Sequence, residues 1–261
     1  MSLPPVKQLS LAIVALFAAC CTARGQIVVN ATFSATALSP RHDENGGVES
    51  FQLNFGANGG TAEAGGQRSS NNASDNQRSS RTFVEFQITS QLKSAAALGT
   101  AASLSFNLTG ITNGAGGLPA LSLILLGSQS SAFNGSSDLS SLWNGSNVWS
   151  APVATGVTAA STGLVGTTVT SSFAGADLTQ FLTTVASANV GEYVTFVFYG
   201  GARENGAAVT GLSGRDVYEF SSLPANLALS ITAIPEPSTS VATVAGVALV
   251  FAGWRRRRRA T

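Results

Sequence analysis

Residues 82–89 read Thr-Phe-Val-Glu-Phe-Gln-Ile-Thr, and their side chains form two alternating sets. Successive side chains of a β-strand point to opposite faces, so every second residue shares a face. One set is wholly apolar and the other is mixed: Val84, Phe86 and Ile88 against Phe83, Glu85 and Gln87. The pattern predicts a strand with these two sets on opposite faces.

The same alternation recurs along the chain, and clusters of Gly, Asn and Ser separate the alternating segments. It predicts further strands at 27–34, 48–55, 101–109, 121–126, 193–199 and 227–232. Residues 176–188 instead carry apolar side chains at helical spacing, with Asp177 as the predicted N-cap. Many short strands and one short helix predict an all-β fold, an antiparallel two-sheet sandwich.

Residues 56–80 differ from the rest of the predicted domain. They are mainly Gly, Ser, Asn, Gln and Ala, with little apolar surface to bury. Such a segment does not offset the conformational entropy that is lost on ordering. The sequence predicts a mobile surface loop here, within one exported domain that covers residues 26–233.

A set of short stretches in a fixed order covers most of this domain. They are residues 81–86 and 102–108, then Trp143 and Trp149, then 177–181, 193–196 and Pro224. The order is similar to that of the DNRLRE-type domain, a jelly-roll module related to carbohydrate-binding modules. The resemblance implies a jelly-roll-like sandwich, and it implies no particular ligand residue.

The charge of the predicted domain excludes one class of partner. Residues 26–233 hold seven basic and twelve acidic side chains, a net charge of −5. A mildly acidic domain without a basic patch is not expected to bind nucleic acid. Cys20 and Cys21 are the only cysteines and precede this domain, so we expect no disulfide, no cysteine nucleophile and no thiolate metal site in it. No cofactor is predicted.

The N-terminus has the pattern of a secretory signal peptide over residues 1–25. Lys7 precedes an apolar run that ends at Cys20, and small residues follow. Ala23-Arg24-Gly25 predicts cleavage before Gln26, and cleavage after Ala23 is the alternative. Two other interpretations stay open: a lipoprotein signal at Cys20, and a first transmembrane helix, for which the apolar run is short.

The C-terminus combines three features in a fixed order. Pro235-Glu236-Pro237-Ser238 is extended and non-helical, because proline fixes φ and restricts the residue before it. Residues 239–254 are small or apolar and predict a single transmembrane helix. Five arginines follow and predict a cytoplasmic stop: Arg255, Arg256, Arg257, Arg258 and Arg259.

Residues 234–261 resemble the PEP-CTERM sorting signal of Gram-negative bacteria. The resemblance implies that an exosortase-type enzyme recognises Pro235, Glu236 and Pro237 and processes the chain near them. It implies a precursor anchored in the inner membrane, with the domain delivered to the cell surface or outside the cell. A plain single-pass anchor is the alternative interpretation.

Few side chains suggest catalysis. His42, the only histidine, lies in a polar turn sequence, where Asp43, Glu44 and Asn45 offer oxygen ligands for calcium without an ordered spacing. Glycoside hydrolysis requires a pair of carboxylates, and four are candidates: Glu85, Glu192, Asp216 and Glu219. We expect these four side chains to be surface or edge-strand charges. For Glu219 we expect first an ion pair with Arg203 or Arg81.

Trp143 and Trp149 flank a segment rich in amide side chains, a pattern that can stack on and hydrogen-bond a sugar. Tryptophans that plug the sandwich edge are the structural alternative. The sequence therefore predicts a non-catalytic surface or extracellular-matrix protein, with a role in adhesion or in association with exopolysaccharide. The alternatives are a secreted carbohydrate-binding module and a secreted carbohydrate-active enzyme.

Overall fold

A computed structural model describes the central part of the chain. The described residues are 25–38, 52–54, 60–68, 77–113, 120–133, 148–152, 157–158, 160–200 and 214–234. Several sequence predictions lie outside them: the signal peptide up to residue 24, the sorting signal from Pro235 onward, the turn around His42, and Trp143.

The described residues form twelve strands and two α-helices. The strands are β1 (Gly25–Asn30), β2 (Phe33–Leu38), β3 (Gln52–Asn54), β4 (Thr61–Arg68), β5 (Gln77–Gln87), β6 (Gly99–Asn113), β7 (Ser122–Gln129), β8 (Val148–Pro152), β9 (Thr167–Ser172), β10 (Tyr193–Tyr199), β11 (Gly214–Ser221) and β12 (Leu227–Ala233). The helices are α1 (Ser90–Ala97) and α2 (Gly175–Ser187). The fold is mostly β, as the alternating pattern predicts.

All the strand pairs of the described residues are antiparallel. The main path runs β1-β12-β6-β11-β4-β5-β10-β7-β8, while β2 joins β3 to β5 and β9 pairs with β6. The sheet curls until distant strands of this path meet. The Phe106 ring of β6 lies 5.1 Å from the Phe198 ring of β10, and Phe198 lies 4.5 Å from Phe220 of β11. The main hydrophobic core fills the inside of the curl.

β5 confirms the two-faced strand that its sequence predicts. Its even-numbered apolar residues Val84 and Phe86 belong to the main core, as does Ile88, which directly follows the strand. Phe83 instead belongs to a second, smaller cluster with Ile124, Phe133 and Val197. The two faces of one strand therefore support two separate apolar layers.

The helical prediction needs two corrections. α2 lies where the spacing predicts it, but its N-cap is Ala174, which makes no side-chain capping bond, and Asp177 lies in the first turn. α1 was not predicted, so the described residues hold two helices rather than one. Its N-cap is Thr89, whose side-chain oxygen accepts a 3.1 Å hydrogen bond from the Leu92 N–H.

The prediction of a mobile loop over residues 56–80 is wrong for the part of this segment that the structure describes. β4 and the start of β5 lie there. β4 pairs with both β11 and β5, so backbone hydrogen bonds order a segment that has few apolar side chains to bury. Ala62 and Ala64 are fully buried, so small side chains allow close packing here. A Cβ on Gly65 would lie 2.2 Å from the Asp216 carbonyl oxygen, which explains the glycine.

The strand predicted over residues 27–34 is two strands, β1 and β2. The chain leaves β12 at Ala31, whose N–H donates to the Leu227 carbonyl at 2.8 Å. The next N–H, that of Thr32, donates to the Glu85 carbonyl of β5 at 2.7 Å. The backbone therefore crosses between two parts of the curled sheet at this break. The alternating pattern also missed β8, β9 and β11.

Candidate functional site

Glu85 lies at the centre of the smaller layer on the outer face of β5, and its side chain is 0% exposed. Both carboxylate oxygens are hydrogen-bonded. Oε2 accepts from the Phe133 backbone N–H at 2.8 Å, and Oε1 accepts from the Thr195 hydroxyl at 3.2 Å. The prediction of a surface or edge-strand charge is thus wrong for Glu85, because β5 has β10 on one side and β2 on the other.

The hydrogen bonds continue outward from Glu85. The Gln129 side-chain amide donates to the Thr195 hydroxyl at 3.3 Å. Thr195 stands directly opposite Glu85 in the β5–β10 ladder, so the two side chains share a face. Burial raises the pKa of the Glu85 carboxyl, and the bonds from Phe133 and Thr195 oppose this rise. We call Glu85, Thr195, Gln129 and Phe133 the Glu85 cluster.

Arg81 and Tyr199 lie two rows away on the same face, directly opposite each other in the ladder. The Arg81 guanidinium carbon is 5.0 Å from the centre of the Tyr199 ring, a cation–π contact. Burial lowers the pKa of Arg81 to about 10, and Tyr199 opposes this effect. Burial also raises the pKa of Tyr199, against the influence of Arg81. Arg81 stays protonated at neutral pH.

The Glu85 cluster holds one segment of chain against the sheet. Phe133 follows β7, and its ring stacks on Phe83 with the ring centres 5.8 Å apart. The Glu85 carboxylate fixes the backbone of Phe133 and the Phe83 ring fixes its side chain. The cluster therefore orients the chain where it enters residues 134–147, which include Trp143. A buried carboxyl group with both oxygens occupied acts as a positioning group.

The other carboxylates considered for glycoside hydrolysis lie apart from Glu85. Glu192 precedes β10 in a turn, where it accepts bonds from the Asn189 backbone and side-chain amides at 3.0 and 2.7 Å. Those bonds lower the pKa of Glu192. Asp216 and Glu219 lie on β11, which β4 separates from β5 in the strand order. The structure does not bring these side chains together with Glu85.

Glu219 lies opposite Glu63 on β4 and opposite Gly110 on β6. Its side chain leans over Gly110, since a Cβ there would lie 2.7 Å from Glu219 Oε2. Of the two predicted ion-pair partners, Arg203 lies outside the described residues. The other, Arg81, contacts the Tyr199 ring. The ion pair stays a prediction.

Within the described part of the chain, no three His, Cys, Asp or Glu side chains are grouped so as to hold a metal ion. The calcium ligands considered at Asp43, Glu44 and Asn45 lie outside that part. Trp149 lies on β8, which pairs with β7 at the end of the main strand path. Trp143 lies outside the described residues.

The two ends of the described domain lie side by side. Gly25 is the direct partner of Ala233 in the ladder between β1 and β12. The Ile234 N–H donates to the Leu98 carbonyl at 3.3 Å, so hydrogen bonding to the domain reaches the residue before Pro235. Beside these ends lies a groove of about 440 Å³, whose lining includes Ile27, Leu98 and Ile234.

Comparison of the chain with protein-family models, with curated proteins and with solved structures gave no match. Among the described residues, no helix has the length and apolar character needed to cross a membrane. The predicted transmembrane helix, residues 239–254, lies outside those residues.

Sequence reasoning named Glu85 as one of four candidate carboxylates, but it predicted a surface or edge-strand position for it and missed its partners. Thr195 and Gln129 are ordinary residues of alternating strands, and Phe133 follows a strand as a single aromatic residue. One signal was available: Glu85 interrupts the apolar residues of a strand that is otherwise rich in phenylalanine. A charge at such a position requires hydrogen-bond donors from neighbouring strands.

Proposed function

We propose that this chain is a non-catalytic surface or extracellular-matrix protein that is exported and sorted by an exosortase-type system. One observation carries the proposal: Gly25, the last residue of the predicted signal peptide, pairs directly with Ala233, the last residue of the predicted domain, so the two terminal signals adjoin the domain at one place. Both signals then leave the domain from one place, beside the membrane that each is predicted to enter.

The distance between the domain and the membrane supports this arrangement. Hydrogen bonding to the domain extends to Ile234, and the predicted transmembrane helix begins at residue 239. The four residues between them span at most roughly 14 Å when fully extended. A membrane-embedded enzyme would therefore meet Pro235-Glu236-Pro237 as a short strap between the folded domain and the bilayer.

The proposed architecture is a two-sheet, jelly-roll-like sandwich. Ring contacts between β10 and the pair β6 and β11 support it, because these strands are far apart in the strand order. The non-catalytic role is supported by the Glu85 cluster, in which the most deeply buried candidate carboxylate is occupied in holding backbone. Adhesion or association with exopolysaccharide suits an exported domain of this kind.

The sorting proposal is tested by the change Glu236→Ala in cells that contain an exosortase-type enzyme. We expect the variant to keep its tail and stay with the inner membrane, while the parent is shortened and released to the surface. The control Asp177→Ala removes a carboxylate from the first turn of α2 and should leave sorting unchanged. Equal size and location of the Glu236→Ala variant and the parent would refute the proposal.

A carbohydrate-binding module is a second candidate, and one observation favours it. The Glu85 cluster fixes Phe133 immediately before residues 134–147, which contain Trp143. Retention of the protein on insoluble polysaccharide should be lost in Trp143→Ala and Trp149→Ala and kept in Tyr193→Ala. No retention of the parent would remove this candidate. Release of reducing sugar by the parent would instead support an enzyme.

A further inference from the structure

β1 lies at one end of the main strand path. Among the described residues it pairs with β12 on one edge, and no described strand pairs with its other edge. An edge of this kind presents backbone N–H and C=O groups that a further strand can bind. The question is which strand fits.

The direction of these backbone groups follows from the chain itself. The Ala31 N–H donates to Leu227 of β12, and backbone groups of successive residues in a strand point to alternate edges. The groups of Ile27 and Val29 therefore point to β12. The groups of three other residues point away from β12, toward the open edge: Gln26, Val28 and Asn30.

This edge lacks the features that usually prevent strand addition. Residues 25–30 read Gly-Gln-Ile-Val-Val-Asn, with no charged side chain and no proline. The Val28 side chain is 57% exposed at the middle of the strand. Natural edge strands are commonly protected by lysine, proline or a bulge, because a regular apolar edge promotes association.

We propose that β1 pairs antiparallel with β1 of a second copy of this chain, about a two-fold axis at Val28. In this register Val28 faces Val28 of the second copy, Gln26 faces Asn30, and Ile27 faces Val29. Each of the pairs Val28–Val28, Gln26–Asn30 and Asn30–Gln26 can exchange two N–H···O=C hydrogen bonds.

The strand is self-complementary in this register. Gln26, Val28 and Asn30 share the exposed face, so an amide meets an amide on each side of a central valine pair. On the other face Ile27 meets Val29, and both side chains already pack against the main core. A register centred on Ile27 pairs Gln26 with Val28 and leaves Asn30 without a partner in β1 of the second copy. The register at Val28 is therefore favoured.

The inference goes beyond delivery of the protein and does not depend on it. The paired residues, Gln26–Asn30, remain in the chain whether the signal peptide is cut before Gln26 or after Ala23. It adds an assembly step, in which two curled sheets join through one continuous ladder. The product is a closed, two-fold dimer, because the pairing uses the same edge of both copies.

Cross-linking tests the register. The full chain with Val28→Cys is treated with a short bismaleimide in intact cells, and the matched variant Val190→Cys is treated in parallel. Val190 is 59% exposed and lies in the turn before β10, so the two thiols are equally accessible. We expect a covalent dimer for Val28→Cys at about ten times the yield of Val190→Cys. The parent chain, with Cys20 and Cys21, measures the background.

Sedimentation tests the association itself, with the full chain in a non-ionic detergent. The parent should sediment as a dimer, and Val28→Lys should raise the dissociation constant by at least about tenfold, because like charges then stand directly opposite. Val190→Lys should sediment like the parent. Circular dichroism checks that both variants are folded. A monomeric parent, an unaffected Val28→Lys variant or equal cross-linking of both cysteine variants would overturn the proposal.

Discussion

The two faces of β5 are made by one short sequence and are stabilised in different ways. The inner face packs Val84 and Phe86 into the main core, where stability comes from the apolar area removed from water. The outer face combines Phe83 with a buried carboxylate, and geometry there is fixed by hydrogen bonds to Phe133 and Thr195. The inner face holds the fold together, and the outer face positions a segment of chain.

The largest effect should come from an inner-face truncation. Phe86 is fully buried, and its ring lies 6.0 Å from that of Phe196 in an edge-to-face arrangement. We expect Phe86→Ala to lower the free energy of unfolding by about 4 kcal/mol, since the closed core leaves a cavity. Phe83→Ala should cost about 3 kcal/mol or less, because the segment that carries Phe133 can move inward. Urea unfolding of both variants measures the difference.

An outer-face variant that is as destabilised as Phe86→Ala would break the comparison. It would mean that the segment around Phe133 is as closely packed as the main core. The control is Gly163→Ala, where an added Cβ meets no atom within 4 Å and stability should be nearly unchanged.

The second effect concerns the charge on the outer face. Glu85→Ala leaves the Phe133 N–H without its acceptor and opens a small cavity, so we expect a loss of about 2–3 kcal/mol. The loss should be accompanied by faster proteolysis near residues 130–133, because their backbone is no longer held. Glu85→Gln keeps an acceptor for the Phe133 N–H and should lose clearly less. Limited proteolysis and urea unfolding check both expectations; equal stability of Ala and Gln would contradict the role of the hydrogen bond.

The difference between the two faces could be predicted from residues 82–89, because side chains alternate strictly along a strand. The burial of Glu85 could not, since it depends on strands and a segment that are distant in sequence. Its partner Thr195 lies 110 positions away and Phe133 lies 48 positions away. The two-residue alternation of a strand predicts the face on which a side chain lies, but it does not predict which residues cover that face.

β4 illustrates the other limit of prediction. Its residues are small and polar, so a pattern based on apolar burial predicts a loop. In the structure the segment is ordered by backbone ladders with β11 and β5, and Gly65 fits where a side chain does not. Order that comes from backbone pairing leaves little trace in hydrophobic periodicity.

The third prediction uses pH. Burial raises the pKa of the Glu85 carboxyl above its ordinary value, so the native state binds its proton more tightly than the unfolded state does. The contribution is fully present below the unfolded pKa and is lost as pH rises through the native pKa. Relative to Glu85→Gln, the parent should therefore become less stable as pH rises above the range in which a glutamate of the unfolded chain titrates. Urea unfolding at several pH values measures the slope.

Glu192 provides the control of opposite sign. Its pKa is lowered, chiefly by the Asn189 side-chain bond, so its contribution is present above the unfolded pKa and is lost as pH falls. Relative to Glu192→Gln, the parent should become less stable as pH decreases. Slopes of the same sign at the two positions would contradict the difference between a fully buried and a partly exposed carboxylate.

The smallest effect should come from the outermost member of the Glu85 cluster. Gln129 donates one 3.3 Å bond to Thr195 and is partly exposed, so Gln129→Ala should cost about 0.5 kcal/mol. Gln87→Ala is the matched control, since its 3.5 Å contact with the Tyr193 hydroxyl is exposed and should contribute almost nothing. The cost should vanish when Gln129→Ala is combined with Thr195→Val, because Gln129 acts through that hydroxyl. An unchanged cost in the double variant would show that Gln129 stabilises the outer face independently of Glu85.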